Sequence, residues 1–307
     1  MNRIISALDR LAETKHHLRG SIAFRYIVGT ALTYQLAVLA GRHRYFFGAD
    51  AQADFAGFVA GFGTEHVSFM ALSNSVTWQW LGYGLGVVIL LLWTIGYGRH
   101  VGTFLAWWAV HSLHARAVGI WDGGDNLAEI VLLYAIPIDL WGAQTERRAG
   151  AAQQVATTLH NLALMACVLQ VCIMYFNAGI AKVPGKYWQN GTAFYYVLAS
   201  EEFGMTGIGP FIWSRPVLLG LMTWAPLLLQ LAFPWIYLFG RPWPRRLTVV
   251  GAMAFHLGIL TLMGLSSFAV IMIGVEMLLL SDGDWAALRE LMTRFKRTLP
   301  KPRDAAP

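Results

Sequence analysis

Residues 159–191 read LHNLALMACVLQVCIMYFNAGIAKVPGKYWQNG. The first part is an apolar run of about the 20 residues that a helix needs to cross a bilayer. Lys182 stands where that helix would leave the bilayer, and a proline, two glycines and Trp188 then turn the chain sharply. A lysine at such a boundary is either an anchor that extends its amine to the interface or a partly desolvated amine that can exchange a proton. Both interpretations stay open at this point.

The composition of the whole chain is that of a membrane protein. Of its 307 residues, 56% are hydrophobic and 13% are charged, whereas about 25% are charged in a typical soluble domain. The net charge of +6 does not indicate a nucleic-acid partner, because the basic residues alternate between loops instead of forming one patch. Cys167 and Cys172 are five positions apart in one predicted helix, on different faces, so no disulfide is expected between them.

Apolar stretches of helical length predict an all-α, polytopic membrane bundle with about eight crossings. They cover residues 22–41, 77–97, 101–119, 126–141, 159–182 and 217–240, and two more share residues 247–281, with a break near 264–267. We expect residues 1–20 to form a basic amphipathic helix on the membrane, residues 21–282 the transmembrane domain, and residues 283–307 a basic helix and tail. The first stretch is longer than a signal-peptide core and follows twenty polar or amphipathic residues, which disfavours cleavage.

The loop charges predict an orientation. With the N-terminus in the cytoplasm, sixteen Lys and Arg residues lie on the cytoplasmic side and six on the opposite side. Cytoplasmic loops of membrane proteins carry such an excess of positive charge. We therefore expect a multi-pass protein of the inner (plasma) membrane with both termini in the cytoplasm and Lys182 outside it.

Polar residues within the predicted crossings are candidates for function. His111 and His114 are three positions apart, hence on one face, with Arg116 nearby. This spacing permits joint metal binding or a proton relay, although hydrogen bonds between helices are the simpler interpretation. Asp125 or Asn126 is a natural N-cap for the fourth crossing, and Asp125 is also a predicted partner for Lys182.

The remaining polar positions divide into two groups. His256 lies in a strongly apolar run, either as a buried histidine bonded to another helix or as a proton relay or cofactor contact. We expect Asp139 and Glu276 to be paired or interfacial, without a catalytic role, and Gln170, Asn177 and Gln230 to hold helices together.

Tyr175, Asn177 and Trp188 flank Lys182 and are candidate binding residues. An apolar pocket would lower the pKa of a lysine and make its neutral amine a general base.

The motif Tyr-Phe-x-Ala-Gly-x-x-Lys at 175–182, with Trp188, Gly191, Phe255-His256-Leu257-Gly258 and Phe268, resembles the HTTM family. This is the horizontally transferred transmembrane domain of vitamin K-dependent gamma-carboxylases and their bacterial relatives. In the carboxylases the lysine that closes the motif deprotonates reduced vitamin K. The resemblance implies that Lys182 is this base, that His256 matches the functional histidine of the late apolar run, and that a reduced, vitamin K-like quinone is the cofactor.

The chain also departs from the carboxylases. Ala181 stands where they carry a second lysine, and Asp125 falls where they carry a further functional histidine. We expect no counterpart of their large lumenal region, which binds the propeptide, within these 307 residues. It looks more like short bacterial members, including those that mature a secreted sporulation-delaying peptide toxin, on the evidence of residues 66–74 and 123–127.

Two hypotheses follow. In the first, the protein is an enzyme with an outward-facing cavity, where Lys182, Asp125 and His256 act on a quinol-like lipid, a secreted peptide or both. In the second, it is a non-enzymatic escort, maturation or immunity factor for a secreted peptide. It would then act with a small partner protein through residues 42–76 and 183–216, which include Tyr195 and Tyr196. A transporter is disfavoured, because the sequence shows no paired broken helices in matching halves.

Overall fold

The computed structural model describes residues 11–48, 51, 54–61, 67–142, 150–203 and 207–298. Over these residues the chain is helical and contains no strand. The long helices are α1 (Leu18–Leu39), α2 (Val76–Ile95), α3 (Arg99–Arg116), α4 (Gly123–Tyr134), α5 (Ala151–Ile180), α6 (Pro216–Phe239), α7 (Pro242–Met263), α8 (Ser266–Glu276) and α9 (Asp282–Thr298). The predicted all-α, polytopic bundle is confirmed.

Short helical segments connect the long ones. They are Ala40–Arg42, His43–Phe46, Phe55–Gly61, Phe69–Leu72, Lys186–Gln189, Ala193–Ala199, Gly209–Trp213 and Met277–Leu279. Residues 1–10 of the predicted N-terminal amphipathic helix and residues 299–307 of the predicted tail lie outside the described residues.

Five helices in the described part of the chain are long and apolar enough to cross a membrane: α1 with its continuation to Phe46, α2, α5, α6 and α7. A sixth crossing results only if residues 266–279 and α9 are joined, and these two segments meet at an angle of 105°. The other predicted crossings are α3, which carries two arginines and three histidines, and the short helices α4 and α8, of 12 and 11 residues. These three therefore depart from the sequence prediction in polarity or in length.

The short helix α8 lies at the centre of the bundle, against α1, α4 and α7. Its Gly274 permits the close approach to α1, because a Cβ at this position would lie 2.7 Å from Val28 Cγ2. Arg25 of α1, which is 4% exposed, connects this helix to the C-terminal end of α2 and to the segment that follows α4. Its guanidinium donates to the carbonyl oxygens of Trp93, Thr94 and Leu140. The C-terminus of a helix carries carbonyl oxygens that lack intrahelical donors, such as that of Thr94, so a buried cation is satisfied there.

Two opposite ends of the bundle are distinguished by their polar contacts. At one end, the Lys15 amine donates to Asp139 Oδ2 over 2.7 Å, so Asp139 is paired as predicted. At the other end, the Asp122 side chain accepts from the backbone of Gly124 and Asp125, and Asp125 Oδ2 accepts from the backbone of Asp122. This reciprocal arrangement is a capping box. The N-cap of α4 is therefore Asp122, and the prediction of Asp125 or Asn126 was wrong by at least three residues.

Candidate functional site

A cavity of about 470 Å³ lies between α5, α6, α7 and α8, at the end of the bundle that carries Lys182. Its lining is apolar except for Tyr175, Lys182, Gln230 and His256. Three of the residues predicted from sequence as catalytic or binding groups, Tyr175, His256 and Trp188, thus meet Lys182 around one space. We call this space the Lys182 cavity.

Lys182 is half-buried at the mouth of the cavity, two residues past the end of α5. Its amine donates to the carbonyl oxygen of Ala178 over 2.8 Å and lies 5.4 Å from the centroid of the Trp188 ring. The chain turns at Pro184 and Gly185, where the Trp188 amide donates to the Gly185 carbonyl. This turn places the Trp188 ring beside the Lys182 amine. Burial lowers the pKa of Lys182 below its usual value, because desolvation disfavours the ammonium form. The cavity therefore contains an amine that gives up its proton more readily than a hydrated lysine does.

A second polar group lies deeper, where Tyr175 of α5, His256 of α7 and Glu276 of α8 meet. The three residues are 1%, 2% and 0% exposed. His256 Nδ1 lies 2.8 Å from Glu276 Oε1, and the Tyr175 hydroxyl donates to the same oxygen. Tyr175 and Lys182 are seven residues apart, or about 10 Å along a helix axis. The cavity is thus polar at two depths and apolar elsewhere.

The carboxyl group of Glu276 orients the imidazole of His256. When Nδ1 donates to Glu276, Nε2 is left as a hydrogen-bond acceptor. No described residue forms a hydrogen bond with Nε2, and this atom is not among the buried nitrogen and oxygen atoms that lack a partner. His256 itself lines the cavity, so its free nitrogen is available to a molecule there.

Glu276 is paired, as predicted, but sequence reasoning gave it no place in the candidate site. The signal was present, because a carboxyl group within a membrane segment is by default a functional candidate.

Gln230 of α6 was predicted to hold helices together, and the structure shows otherwise. Its side chain is 6% exposed and lines the Lys182 cavity. Its carboxamide oxygen is buried without a hydrogen-bond partner in the described part of the chain. Pro226 and Pro234 lie within α6, one helical turn to either side of it. The residue therefore presents an unsatisfied amide to the cavity instead of bridging two helices.

Asp125 does not pair with Lys182 among the contacts of the described residues. Its carboxylate is fully buried and accepts from Gln35 Nε2 of α1 over 3.0 Å and from the Asp122 backbone. Lys182 donates to Ala178 instead. The capping box turns the Asp125 side chain back toward its own backbone and α1, which is why the predicted pair is not formed.

His111 and His114 form hydrogen bonds between helices, the simpler of the two interpretations. Their Nδ1 atoms lie 2.8 and 2.7 Å from the two carboxyl oxygens of Glu129 on α4. His114 and Glu129 border a separate cleft of about 430 Å³, which shares only Gly123 with the Lys182 cavity. Over the described ranges, no cluster of three or more His, Cys, Asp or Glu residues has the arrangement of a metal site.

Two further candidate binding residues lie away from the Lys182 cavity. Arg116 is 1% exposed and donates to the Gly48 carbonyl over 2.8 Å, with its guanidinium 5.5 Å from the Phe58 ring centroid. Asn177 is exposed on the outer surface of α5. Two helical positions correspond to about 200° of rotation, so Asn177 and Tyr175 point in nearly opposite directions. Neither residue belongs to the cavity lining.

Comparison with known proteins gives two relatives, both from Bacillus subtilis (strain 168). The uncharacterized protein YitO is 27% identical over 208 residues, which are 64% of this chain and 66% of YitO. The sporulation-delaying protein SdpB is 26% identical over 142 residues, which are 44% of this chain and 42% of SdpB. No family model matches the chain, and no solved structure matches it. The chain thus covers less than two thirds of either relative, and it is a helical membrane protein similar in part to a sporulation-delaying protein.

Proposed function

We propose that this protein is an HTTM-like membrane enzyme that binds a quinol-like lipid in the Lys182 cavity. The neutral amine of Lys182 accepts the proton of a quinol hydroxyl, which leaves a quinolate beside an ammonium group. The observation that carries this proposal is a lysine with a lowered pKa at the mouth of an apolar cavity. A hydrated surface lysine is almost wholly protonated near pH 7 and is a poor base.

The residues present fit a quinol. The volume of about 470 Å³ lies within the range of roughly 300–1,000 Å³ that is usual for small-molecule sites. The apolar lining suits an aromatic ring, and Trp188 borders it next to the amine. A bound quinol would supply the ionisable hydroxyl and the reducing equivalents. His256, oriented by Glu276, would border the ring on the side away from Lys182.

The same cavity is proposed to face the outside of the plasma membrane, with both termini in the cytoplasm. The loop charges support this orientation. A secreted peptide could then reach Lys182 from the exterior, and the partial similarity to a sporulation-delaying protein supports a peptide as substrate or partner.

The test uses the purified protein in lipid nanodiscs, under anaerobic conditions, with a reduced naphthoquinone. Ultraviolet difference spectra across a pH series report ionisation of the bound quinol. We expect the wild type to ionise the bound quinol at a lower pH than free quinol, and Lys182→Met to lose this effect. Lys186→Met is the matched control, because Lys186 lies in the same loop and is exposed. Ionisation in Lys182→Met equal to that in the wild type would refute the base role.

A second candidate function has a separate observation in its favour. Tyr187, Tyr195 and Tyr196 are 47%, 39% and 48% exposed. Tyr196 contacts the tilted ring of Tyr187 and the edge-on ring of Tyr195, with ring centroids 4.0 and 5.2 Å apart. Exposed tyrosine clusters are typical of protein interfaces. In this proposal the protein binds a secreted peptide and a small partner protein as an escort, maturation or immunity factor. Co-purification of a peptide with Lys182→Met, and its loss in a Tyr195→Ala/Tyr196→Ala variant, would favour this function over catalysis.

A further inference from the structure

We propose that a single lipid occupies both the Lys182 cavity and a groove between α6 and α7, with a hydroxyl-bearing ring at Gln230 and an apolar chain in the groove. This inference rests on the proposed function for the identity of the ring. The assignment of Gln230 and of the groove rests on separate observations.

Gln230 is the first of these. A buried carboxamide oxygen without a partner costs free energy, and native proteins rarely leave such an atom unsatisfied. The described residues provide no donor to it, although the side chain is 94% buried (6% exposed). A hydroxyl group on a ligand in the cavity would donate to this oxygen. Gln230 is therefore assigned to recognition of the ring.

The level of Gln230 in the bundle agrees with this role. A Cβ built on Gly179 of α5 would lie 3.1 Å from the backbone nitrogen of Leu231. The two helices therefore touch at this height, and the preceding residue, Gln230, lies between the level of Lys182 and that of Tyr175 on α5. A ring at this height would be bordered by the Lys182 amine, the Gln230 carboxamide and the His256 imidazole, all of which line the same cavity.

The groove is the second observation. It has a volume of about 570 Å³ and shares Met222, Pro226, Phe255 and other residues with the Lys182 cavity, so the two spaces adjoin. Its floor on α7 is formed by Gly251, Ala254 and Gly258, which lie on one helix face at spacings of three and four. A Cβ at Gly258 would meet no atom within 4 Å, and one at Gly251 would meet only Leu229 at 3.8 Å. The floor is therefore open space instead of packed helix contact.

The occupant of this groove is the apolar chain of a lipid. Both walls belong to helices that are long and apolar enough to span the membrane. Exposed aliphatic residues surround the groove on both helices, including Leu221 at 60% and Leu257 at 52%. The groove adjoins the hydrocarbon of the bilayer on one side and the polar residues of the Lys182 cavity on the other. Such a site suits an amphiphile whose apolar chain remains in the lipid. Pro226 borders both spaces and has no N–H for the carbonyl of Met222, so this carbonyl lacks its intrahelical donor where the two spaces join.

The experiment compares two reduced naphthoquinones, one with a four-isoprene tail and one with only a methyl group on the ring. Binding is measured anaerobically in phosphatidylcholine nanodiscs, with affinities expressed per mole of lipid because the tail partitions into the bilayer. Gly258→Leu fills the groove. Gly84→Leu is the matched control, because Gly84 of α2 is exposed and a Cβ there also meets nothing within 4 Å. Gln230→Leu removes the carboxamide at nearly constant volume.

We expect Gly258→Leu to weaken the tailed quinol by at least about tenfold, the scale of an overfilled contact, and to leave the tail-less quinol within about twofold. Gln230→Leu should weaken both ligands by about tenfold, the scale of one lost hydrogen bond. Equal effects of Gly258→Leu on the two ligands, or none on either, overturn the groove. Unchanged binding of both ligands by Gln230→Leu overturns the recognition role.

A measurement on the unaltered protein guards against variants that misfold. A photoreactive diazirine at the far end of the isoprene tail should label α6 and α7 near Leu221 and Ala254, and labelling confined to other helices overturns the groove. The base role fails separately, if Lys182→Met ionises the bound quinol as the wild type does while the Gly258→Leu effect persists. If neither quinol binds to the wild type, both proposals are refuted.

Discussion

The buried cluster of Tyr175, His256 and Glu276 is expected to stabilise the bundle as a unit. Glu276 Oε1 accepts from both partners, and all three side chains are at most 2% exposed. Glu276→Ala takes the carboxylate acceptor from the Tyr175 hydroxyl and from His256 Nδ1 and leaves them only their long mutual contact of 3.4 Å. At about 1–3 kcal/mol for each unsatisfied buried group, the free energy of unfolding should fall by about 2–6 kcal/mol. Tyr175→Phe removes one donor and leaves the His256–Glu276 contact, so it should cost about 1–3 kcal/mol.

The double variant separates a coupled cluster from two independent losses. In Tyr175→Phe/Glu276→Ala there is no tyrosine hydroxyl left to be stranded, so one of the penalties of Glu276→Ala disappears. The combined loss should therefore be smaller than the sum of the single losses by at least about 1–3 kcal/mol. His256 remains the only unsatisfied member of the cluster in this variant.

Two buried cysteines provide the assay. Cys167 and Cys172 on α5 are free, and they are 0% and 3% exposed. A thiol-reactive fluorophore therefore reports unfolding of the bundle in detergent, without a label at the site itself. Unfolding in a denaturant series for the wild type, the two single variants and the double variant gives the coupling free energy. Additive losses, or a Glu276→Ala variant as stable as the wild type, would refute the assignment of these residues to one cluster.

Three further outcomes are expected. Burial lowers the pKa of Lys182, so a larger fraction of its amine is neutral at a given pH. Acylation of Lys182, followed by mass spectrometry, should therefore begin at a lower pH than acylation of a fully hydrated lysine, and onset at the pH of a model amine would contradict this. Gly179→Leu should destabilise the bundle by about 1–3 kcal/mol in the thiol assay, because its Cβ would lie 2.9 Å from Leu231 Cδ2, whereas Gly84→Leu should be nearly neutral. Glu129→Ala should also destabilise the bundle, by about 2–6 kcal/mol for the loss of its hydrogen bonds to His111 and His114, while the tail-less quinol binds as before. Loss of quinol binding in a folded Glu129→Ala protein would connect the two clefts.

The helical architecture was predictable because apolar length and composition report directly on membrane-spanning helices. The prediction that Lys182 closes such a helix required only a lysine, a proline and the end of an apolar run. The three predicted crossings that correspond to α3, α4 and α8 differ from expectation in polarity or in length, and for a common reason. Inside a bundle a helix packs against protein on most sides, so its length and polarity need not match the bilayer, as the fully buried residues of α8 show.

Part of the cavity lining was predictable from the sequence, but the pairings of its residues were not. Lys182, His256 and Tyr175 were chosen from their positions in apolar segments, and they do line one cavity. Asp125 was paired with Lys182 because both were placed at the same end of the bundle, and a sequence does not show which way a capping side chain turns. Glu276 and Gln230 were set aside because their partners, or the lack of partners, depend on contacts between segments distant in sequence.

The cavity follows from the unequal lengths of the helices. At 1.5 Å per residue, α4 with 12 residues and α8 with 11 are about 18 and 16 Å long, roughly half of the 30 Å hydrocarbon core of a bilayer. The longer helices α5, α6 and α7, of 30, 24 and 22 residues, extend beyond them. Gly123 and Leu265, at the N-terminal ends of α4 and α8, border the cavity, so the space lies where the short central helices stop. Because α5 extends beyond the ends of α4 and α8, Lys182, two residues after α5, lies at the rim of the cavity and is only half-buried.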